Sequence, residues 1–336
     1  MPERPAAIAA WSDLAGEPLL PLEGGLINAT WQVGQPGRAV LQRLHSIFQP
    51  NVHDGIEVVT RHLLARGMNT PVLIPTDTGE LCRVDETGDC WRAMTWLPGH
   101  TLHFITDHAI AHQAGSLVGR WHKATSDLVH EFAFQRVGAH DTDAHMTKLR
   151  VALETHSSHR LWDPTARLAE TLLQTWAGWS GRLDGPTRIA HGDLKVSNLR
   201  FDAAGAGVGL LDLDTLANLP IDRELGDAWR SWCNPGGEDL SKAQFNLQLF
   251  EASAQGYLAH CSLSAEDRQS LPAAIERICL ELASRFAADA LLESYFGWDP
   301  RVAPSRGEHC LLRAQGQMSL ALSVREQQAA MERILR

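Results

Sequence analysis

Residues 191–198 read HGDLKVSN, and a glycine-containing turn and an apolar run that ends in acidic residues follow them. Asp193 and Asp212 supply carboxylates, Asn198 supplies an amide oxygen and Lys195 supplies a cation. Phosphoryl transfer to a hydroxyl needs a carboxylate beside the acceptor, oxygen ligands for Mg²⁺ and positive charge near the transferred phosphate. These groups all lie within one short stretch, so the sequence predicts a phosphoryl-transfer site there.

The spacing also suggests a role for each side chain. Asp193 can accept the proton of the acceptor hydroxyl, and Lys195 can reach the transferred phosphate. Asn198 offers a neutral oxygen suited to a hard cation, and Asp212 emerges at the end of a strand where it can hold the same Mg²⁺. A bare His-Gly-Asp would be read as a simple turn, but the lysine, the asparagine and the second acidic site argue against that reading.

The elements that must position these residues change in type along the chain. Residues 21–43 read as strand, turn and strand, residues 52–66 have helical spacing, and further strands are predicted near 72–74 and 91–96. Beyond 97–99 the chain is mainly helical except for a strand-rich island at 188–216; the helices are predicted over residues 107–123, 143–156, 164–179, 242–260, 265–296 and 308–336. The predicted fold class is α+β, with a small antiparallel lobe over 1–97 and a larger helical lobe over 98–336.

Length and charge set limits on the class of protein. A chain of 336 residues suggests two units of about 150 residues each. A net charge of −10 disfavours nucleic acid or an anionic membrane as a partner. No apolar run has the length of a signal peptide core or a membrane span, so a cytoplasmic location is expected.

Cysteine and histidine spacing gives no metal motif. The six cysteines show no Cys-x-x-Cys spacing and are expected to be reduced thiols. His108 and His112 share a helix face at a spacing that can bind Zn²⁺, but no cysteine or glutamate completes the set.

The string HGDLKxxN followed by a strand and Asp-x-Asp resembles the aminoglycoside phosphotransferase and choline kinase-like family, whose members are relatives of protein kinases. The resemblance implies a bilobal protein-kinase-like fold with ATP and Mg²⁺ as cofactors. It places Asp193 and Lys195 as catalytic residues and Asn198 and Asp212 as metal ligands. It also implies that residues 1–97 bind the nucleotide and that residues 98–336 carry the catalytic and acceptor sites.

The resemblance extends into the first lobe. Gly24 and Gly25 resemble the turn that covers the ATP phosphates, where absent side chains allow backbone N–H groups to approach. Met94, Trp96 and Leu97 would form the hinge strand that pairs with the adenine edge.

One position departs from the family pattern. Related kinases carry a phosphate-pairing lysine on the third strand, but Gln42 stands there, so Arg43 either takes its role or the contact is made differently. Glu57 is the expected ion-pair partner of that cation, or else a solvated helix charge. Asp227, in a Gly-Asp element, is expected to be a structural tie for the catalytic loop.

Four strings, at residues 25–30, 40–44, 212–215 with 226–230, and 308–314, resemble the N-acetylhexosamine 1-kinase-like sugar kinases, which phosphorylate an anomeric hydroxyl. A sugar site needs polar contacts and an aromatic wall. The candidates for polar contacts are Asp214, Arg230 and Arg313. The candidates for the wall are Trp229, Trp232, Tyr295, Phe296 and Trp298.

Other acceptors stay open at this stage. Choline would call for an aromatic cage, and homoserine is a further small alcohol. An aminoglycoside would favour a strongly acidic pocket, whereas residues 234–239 carry only Glu238 and Asp239. The missing strand lysine also allows a catalytically silent nucleotide-binding module. A protein kinase is disfavoured because no Ala-Pro-Glu follows Asp212.

Overall fold

The computed structural model describes residues 4–22, 28–134, 138, 140–182 and 184–336. Its first part is an antiparallel sheet with the strand order β1-β2-β3-β6-β4, and β5 pairs with β6. The strands are β1 (Leu19–Leu22), β2 (Ala29–Val33), β3 (Ala39–Arg43), β4 (Leu73–Ile74), β5 (Arg83–Val84) and β6 (Cys90–Thr95).

Strand β6 separates two environments because successive side chains point to opposite faces of a sheet. Trp91 and Ala93 pack against the N-terminal segment, which holds a 3₁₀ turn (Ala6–Ala10) and helix α1 (Ser12–Ala15). Cys90 and Met94 face the other way, into the core that helix α2 (Val52–Ala65) shares with the rest of the chain. Arg92 lies on that same inner face, which sets its role below.

The second part is helical. Its helices are α3 (His108–Thr125), α4 (Thr142–Thr155), α5 (Trp162–Ala177), α6 (Ile221–Trp232), α7 (Leu247–Leu258), α8 (Ala265–Leu292) and α9 (Arg306–Leu335). Side chains cap several of them at the N-terminus, where orphan N–H groups need acceptors. Asp107 caps α3, Asn246 caps α7 and Ser305 caps α9. None of the helices in the described part of the chain is long and apolar enough to cross a bilayer.

Two short antiparallel pairs interrupt the helices and create the site. Strand β7 (Thr187–Ala190) pairs with β10 (Ala217–Pro220), and β8 (Leu199–Phe201) pairs with β9 (Gly207–Leu210). The chain therefore turns back twice, and the loops at 191–198 and 211–216 emerge side by side.

The predicted α+β fold class, with a sheet-rich first lobe and a helical second lobe, is confirmed. Helix α6 was not predicted, although its buried residues Ile221, Leu225, Ala228, Trp229 and Trp232 have helical spacing. Buried charged side chains lie among them: Asp222, Glu224, Asp227 and Arg230. The division after residue 97 stays a prediction.

The junction between the two parts is held by backbone pairing at His100. Its N–H donates to the Phe201 carbonyl at 2.8 Å, and its carbonyl accepts from the Phe201 N–H at 2.9 Å. Gly99 precedes this bridge at φ +106°, and a Cβ there would lie 2.3 Å from the Phe201 oxygen.

Gly99→Ala is therefore expected to destabilise the chain more than Gly67→Ala. Gly67 also has a positive φ, but nothing lies within 4 Å of the position that an alanine Cβ would take there. The control should lose about 1 to 2 kcal/mol from left-handed backbone strain alone. Gly99→Ala adds the clash with β8, and urea denaturation of both variants measures the difference. Equal losses of unfolding free energy in the two variants would show that the backbone at the junction can shift to accommodate the added Cβ at no cost.

Candidate active site

Helix α6 holds the start of the loop at residues 191–198, here called the catalytic loop, through Glu224. One carboxylate oxygen of Glu224 accepts from the His191 N–H at 2.7 Å, and the other accepts from the Gly192 N–H at 2.9 Å. Burial by itself would raise the pKa of Glu224, but the His122 imidazole, whose Nε2 lies 3.5 Å from Glu224 Oε1, and its other neighbours bring this pKa below the ordinary value. Glu224 is buried and ionised, so it fixes two consecutive backbone donors.

The same helix holds the rest of the loop. The Ser231 hydroxyl accepts from the Val196 N–H at 3.1 Å, and the Trp232 indole donates to the Leu194 carbonyl at 2.7 Å. Residues 224, 231 and 232 are seven and eight positions apart, so they share a helix face. Asp227 was expected to be the tie for this loop, but its carboxylate pairs with Arg230, and Glu224 ties the loop instead.

His191 locks the two loops together. Its Nε2 lies 2.8 Å from the Leu211 carbonyl, and its Nδ1 lies 3.3 Å from the Asp193 N–H. These partners assign Nε2 as the donor and Nδ1 as the acceptor in a neutral ring. The Thr215 hydroxyl adds a bond to the His191 carbonyl at 2.8 Å.

Asp193 and Lys195 meet at the mouth of this loop. The Lys195 ammonium donates to Asp193 Oδ2 at 2.6 Å and lies 3.9 Å from Asp212 Oδ2. Burial alone would raise the pKa of Asp193, but the Lys195 charge brings it below the ordinary value. Burial likewise opposes the charge on Lys195, yet Asp193 and Asp212 raise its pKa to about 12. Both groups are therefore charged near neutral pH.

Asn198 and Asp212 fit a hard divalent cation. The Asn198 amide nitrogen donates to the Asp193 carbonyl at 2.9 Å and to Asp193 Oδ2 at 3.1 Å, which turns the amide oxygen away from Asp193. Burial first, and then the charge of Asp214, raise the pKa of Asp212. Two oxygen donors beside an excess of negative charge are the donor set that Mg²⁺ prefers. Asp212 adopts a left-handed backbone, with φ 61° and ψ 58°.

Asp214 does not line the acceptor site as predicted. It is 1% exposed and accepts hydrogen bonds from both terminal nitrogens of Arg92, one of them at 3.0 Å. The Asn28 amide donates to the same carboxylate at 2.8 Å. Arg92 Nε donates to Gln42 Oε1 at 2.9 Å, so Asp214 is occupied by a network that reaches strand β3.

The predicted pairing of Arg43 with Glu57 is wrong. Arg43 lies 3.3 Å from Asp89 and over the Trp91 ring, while Glu57 pairs with Arg61 on its own helix. The cause is the alternation of side chains along β3, where residues 42 and 43 point to opposite faces. Gln42 is paired in register with Arg92, and both line the cleft.

Arg92 is thus a cation of the inner face that the sequence reasoning missed. The alternating register of β3 and β6 was the signal that could have revealed it.

The structure describes the predicted hinge residues but not the predicted phosphate turn. Met94, Trp96 and Leu97 line one cleft of about 1300 Å³ together with Asp193, Lys195 and Asp212. The Leu97 carbonyl accepts from Arg200 Nε at 3.2 Å, and the Arg200 guanidinium lies over the Trp96 ring. The predicted phosphate turn at Gly24 and Gly25 lies outside the described residues.

The cleft lining also includes paired charged side chains. Arg230 donates to Asp227 Oδ1 at 3.0 Å and to Glu238 Oε1 at 2.6 Å. Arg313 donates to Asp239 Oδ1 at 2.6 Å. Burial opposes ionisation of Asp227, and its pKa is raised despite Arg230.

Of the predicted aromatic wall, Tyr295 and Phe296 line the cleft. Trp229 and Trp232 are fully buried in the core and cannot touch an acceptor there. Trp298 is 44% exposed and donates its indole N–H to the Ala303 carbonyl at 2.8 Å.

Comparison with known proteins agrees with this geometry. A family model described as "Phosphotransferase enzyme family" matches residues 18–260. A microcompartment-associated aminopropanol kinase has a TM-score of 0.63 at 17% identity, covering 98% of this chain and 97% of its own. These and similar likenesses, all below 25% identity, confirm the predicted fold class.

Two further solved structures are similar. An amicoumacin kinase in complex with AMP-PNP and Ca²⁺ has a TM-score of 0.60 at 15% identity, covering 90% of this chain and 87% of its own. An aminoglycoside phosphotransferase from Alicyclobacillus acidocaldarius has a TM-score of 0.61 at 16% identity and covers 98% of both chains.

Glu224→Gln is expected to lower the free energy of unfolding at pH 7 by about 1 to 3 kcal/mol, because an amide nitrogen would then face a backbone N–H. The folded pKa of Glu224 lies below its ordinary value of 4.5, so the carboxylate stabilises the fold above that pH. This contribution is lost as the pH falls through the folded pKa. The difference between wild type and variant should therefore shrink under acid, as measured by urea denaturation.

Glu154→Gln, on an exposed position of α4, is the matched control and should be nearly neutral at both pH values. A pH-independent loss in Glu224→Gln would contradict an ionised Glu224.

Proposed function

This chain belongs to the phosphotransferase enzyme family and is an ATP-dependent phosphotransferase that acts on hydroxyl groups, and we propose that its acceptor is a neutral sugar. In this proposal the γ-phosphoryl group passes to the anomeric hydroxyl of an N-acetylhexosamine or a related hexose. The observation that carries the proposal is a single cleft whose lining combines the reactive side chains with paired arginines and aromatic rings.

We assign the transfer step to the loop residues. The acceptor hydroxyl donates its hydrogen bond and then its proton to Asp193, its oxygen bonds to the γ-phosphorus, and the bond from that phosphorus to the bridging oxygen breaks. Lys195 offsets the negative charge that develops on the transferred group. Asn198 and Asp212 would hold Mg²⁺, which supplies charge neutralisation at the nucleotide phosphates.

The nucleotide is assigned to the sheet side of the cleft, in the lobe that ends at residue 97. Met94, Trp96 and Leu97 supply an apolar and aromatic wall for the base. Arg92 provides buried positive charge near the phosphates in an otherwise acidic protein, although Asp214 balances most of it. Gly24 and Gly25 remain the proposed turn over the phosphates.

The charge of the acceptor wall favours a neutral ligand over a polycation. Arg230 and Arg313 are each matched by a carboxylate, which leaves polar edges without a large net charge. Arg277 also lines the cleft, is 1% exposed, and its Nε has no hydrogen-bond partner among the described residues. A buried arginine of this kind repels an amine and suits an oxygen-rich ring or an acetamido carbonyl.

We also place the enzyme in the cytoplasm, with no nucleic acid or membrane partner. Its six cysteines are free thiols, and both ATP and a reducing environment belong to that compartment.

Asp193→Asn and Asp212→Asn should separate chemistry from metal binding. Asp193→Asn removes the proton acceptor and is expected to lower kcat by about 10²- to 10⁴-fold with unchanged nucleotide affinity and melting temperature. Asp212→Asn keeps a side chain that tolerates the left-handed backbone but removes the charge, so Mg²⁺ should no longer strengthen nucleotide binding. Calorimetric titration of nucleotide with and without Mg²⁺, beside steady-state kinetics, checks both variants. Retained turnover in Asp193→Asn would contradict the assignment of Asp193 as the proton acceptor.

A ³¹P NMR screen should identify the acceptor. N-acetylglucosamine, N-acetylgalactosamine, simple hexoses, choline, aminopropanol, homoserine and an aminoglycoside are offered with ATP and Mg²⁺. The expected product is a sugar phosphate whose phosphorus couples to the anomeric proton. Phosphorylation of only the amine-bearing alcohols would contradict the neutral acceptor. Nucleotide binding without any product would favour a catalytically silent module.

Two aromatic variants refine this test. Tyr295→Ala, at the cleft wall, should raise the KM for the acceptor and leave the KM for ATP unchanged. Trp298→Ala, an exposed aromatic residue near it in the chain, is the matched control and should change neither.

A further inference from the structure

A second cluster of chemically active side chains lies in the first lobe, away from the cleft. It contains His53 in the first turn of α2, Cys82 just before β5 and Cys90 at the start of β6. One imidazole nitrogen and the two sulfurs all lie within 4.8 Å of one another. Three ligand atoms at this spacing can bind one tetrahedral metal ion.

The sheet register brings the two cysteines together. Val84 is paired with Cys90 across the β5–β6 hairpin, and residue 82 lies two positions before Val84 on the same face. The Asp85 carboxylate fixes the connecting turn by accepting the Thr87 N–H at 2.9 Å and the Asp89 N–H at 3.0 Å. The sulfurs are therefore held by a rigid hairpin.

His53 is oriented as a metal ligand would be. Its Nδ1 lies 2.6 Å from the Pro50 carbonyl, which assigns the proton to Nδ1 and leaves a lone pair on Nε2. The residue is 1% exposed, and its Nε2 has no hydrogen-bond partner among the described residues. A buried acceptor without a donor is uncommon, and a ring fixed by a backbone carbonyl is the usual outer arrangement of a zinc-bound histidine.

We propose that His53, Cys82 and Cys90 bind one Zn²⁺ ion. Two thiolates and an imidazole are the donor set of this borderline-soft cation, whereas Mg²⁺ prefers the oxygen ligands of the cleft. The fourth position opens on a surface cavity of about 500 Å³ that Asp54 and Glu80 also line. Water or one of these carboxylates completes the tetrahedron.

The ion would join elements that are far apart in sequence. His53 belongs to α2, the cysteines belong to the hairpin, and Cys90 lies two residues before Arg92 on the same strand. Zn²⁺ binding therefore braces helix against sheet beside the strand that carries Arg92. This proposal is independent of the acceptor and stands if no sugar is phosphorylated.

Cobalt substitution of the reduced protein tests the site directly. Excess Mg²⁺ occupies oxygen sites, and Co²⁺ is then titrated into the full chain under a non-thiol reductant. One equivalent should produce a sulfur-to-cobalt charge-transfer band and the intense visible bands of tetrahedral Co²⁺, and one equivalent of Zn²⁺ should remove both. Zn²⁺ should also raise the melting temperature.

Three variants locate the ligands. Cys82→Ser, at a half-buried position, should lose the charge-transfer intensity and weaken Zn²⁺ binding at least tenfold, and His53→Gln should weaken Zn²⁺ binding similarly. Cys261→Ser, at an equally half-buried cysteine outside the cluster, should bind like wild type. Absence of the band in wild type, equal binding by Cys82→Ser and Cys261→Ser, or a Cys82–Cys90 disulfide that forms without any metal affinity in the reduced protein would each overturn the proposal.

Discussion

The buried ion pair between Arg92 and Asp214 is the constraint on which the cleft depends. It joins the inner face of the sheet to the loop that carries Asp212, and both side chains are at most 1% exposed. Two buried charges stabilise a fold only when each remaining polar atom is also paired. Asn28 and Gln42 meet that condition, so strands β3 and β6 and the loop that carries Asp212 are fixed relative to each other.

Helix α6 fixes the loop that carries Asp193. Glu224, Ser231 and Trp232 hold the backbone of the loop at residues 191–198, while Asp227 and Arg230 line the cleft. One helix therefore both positions the loop that carries Asp193 and lines the cleft.

Local pattern was enough for much of the fold and for the central motif. The loop containing Asp193, Lys195 and Asn198, and the nearby Asp212, came from spacing alone, and most helices began within a few residues of their predicted positions. Burial could not be inferred in this way: Asp214 and Trp229 carry suitable chemistry but are enclosed by the fold. Helix α6 was missed although Ile221, Leu225, Trp229 and Trp232 recur at helical spacing, so the sequence did contain the signal for it.

Side-chain pairing across the sheet was the other feature that the sequence alone did not predict. Arg43 and Glu57 were matched by sequence position, whereas strand alternation selects Gln42 and Arg92. His53, Cys82 and Cys90 form no spacing motif, since only the hairpin register and the packing of α2 bring them together.

The left-handed backbone at Asp212 restricts how this protein can evolve. Glycine and asparagine are among the residues that best tolerate that conformation, but neither carries a negative charge. The substitutions that the main chain accepts most easily would therefore remove the carboxylate proposed as a metal ligand. A change to glycine or asparagine during evolution would keep the backbone turn and lose the proposed metal ligand, so the fold could outlast the activity.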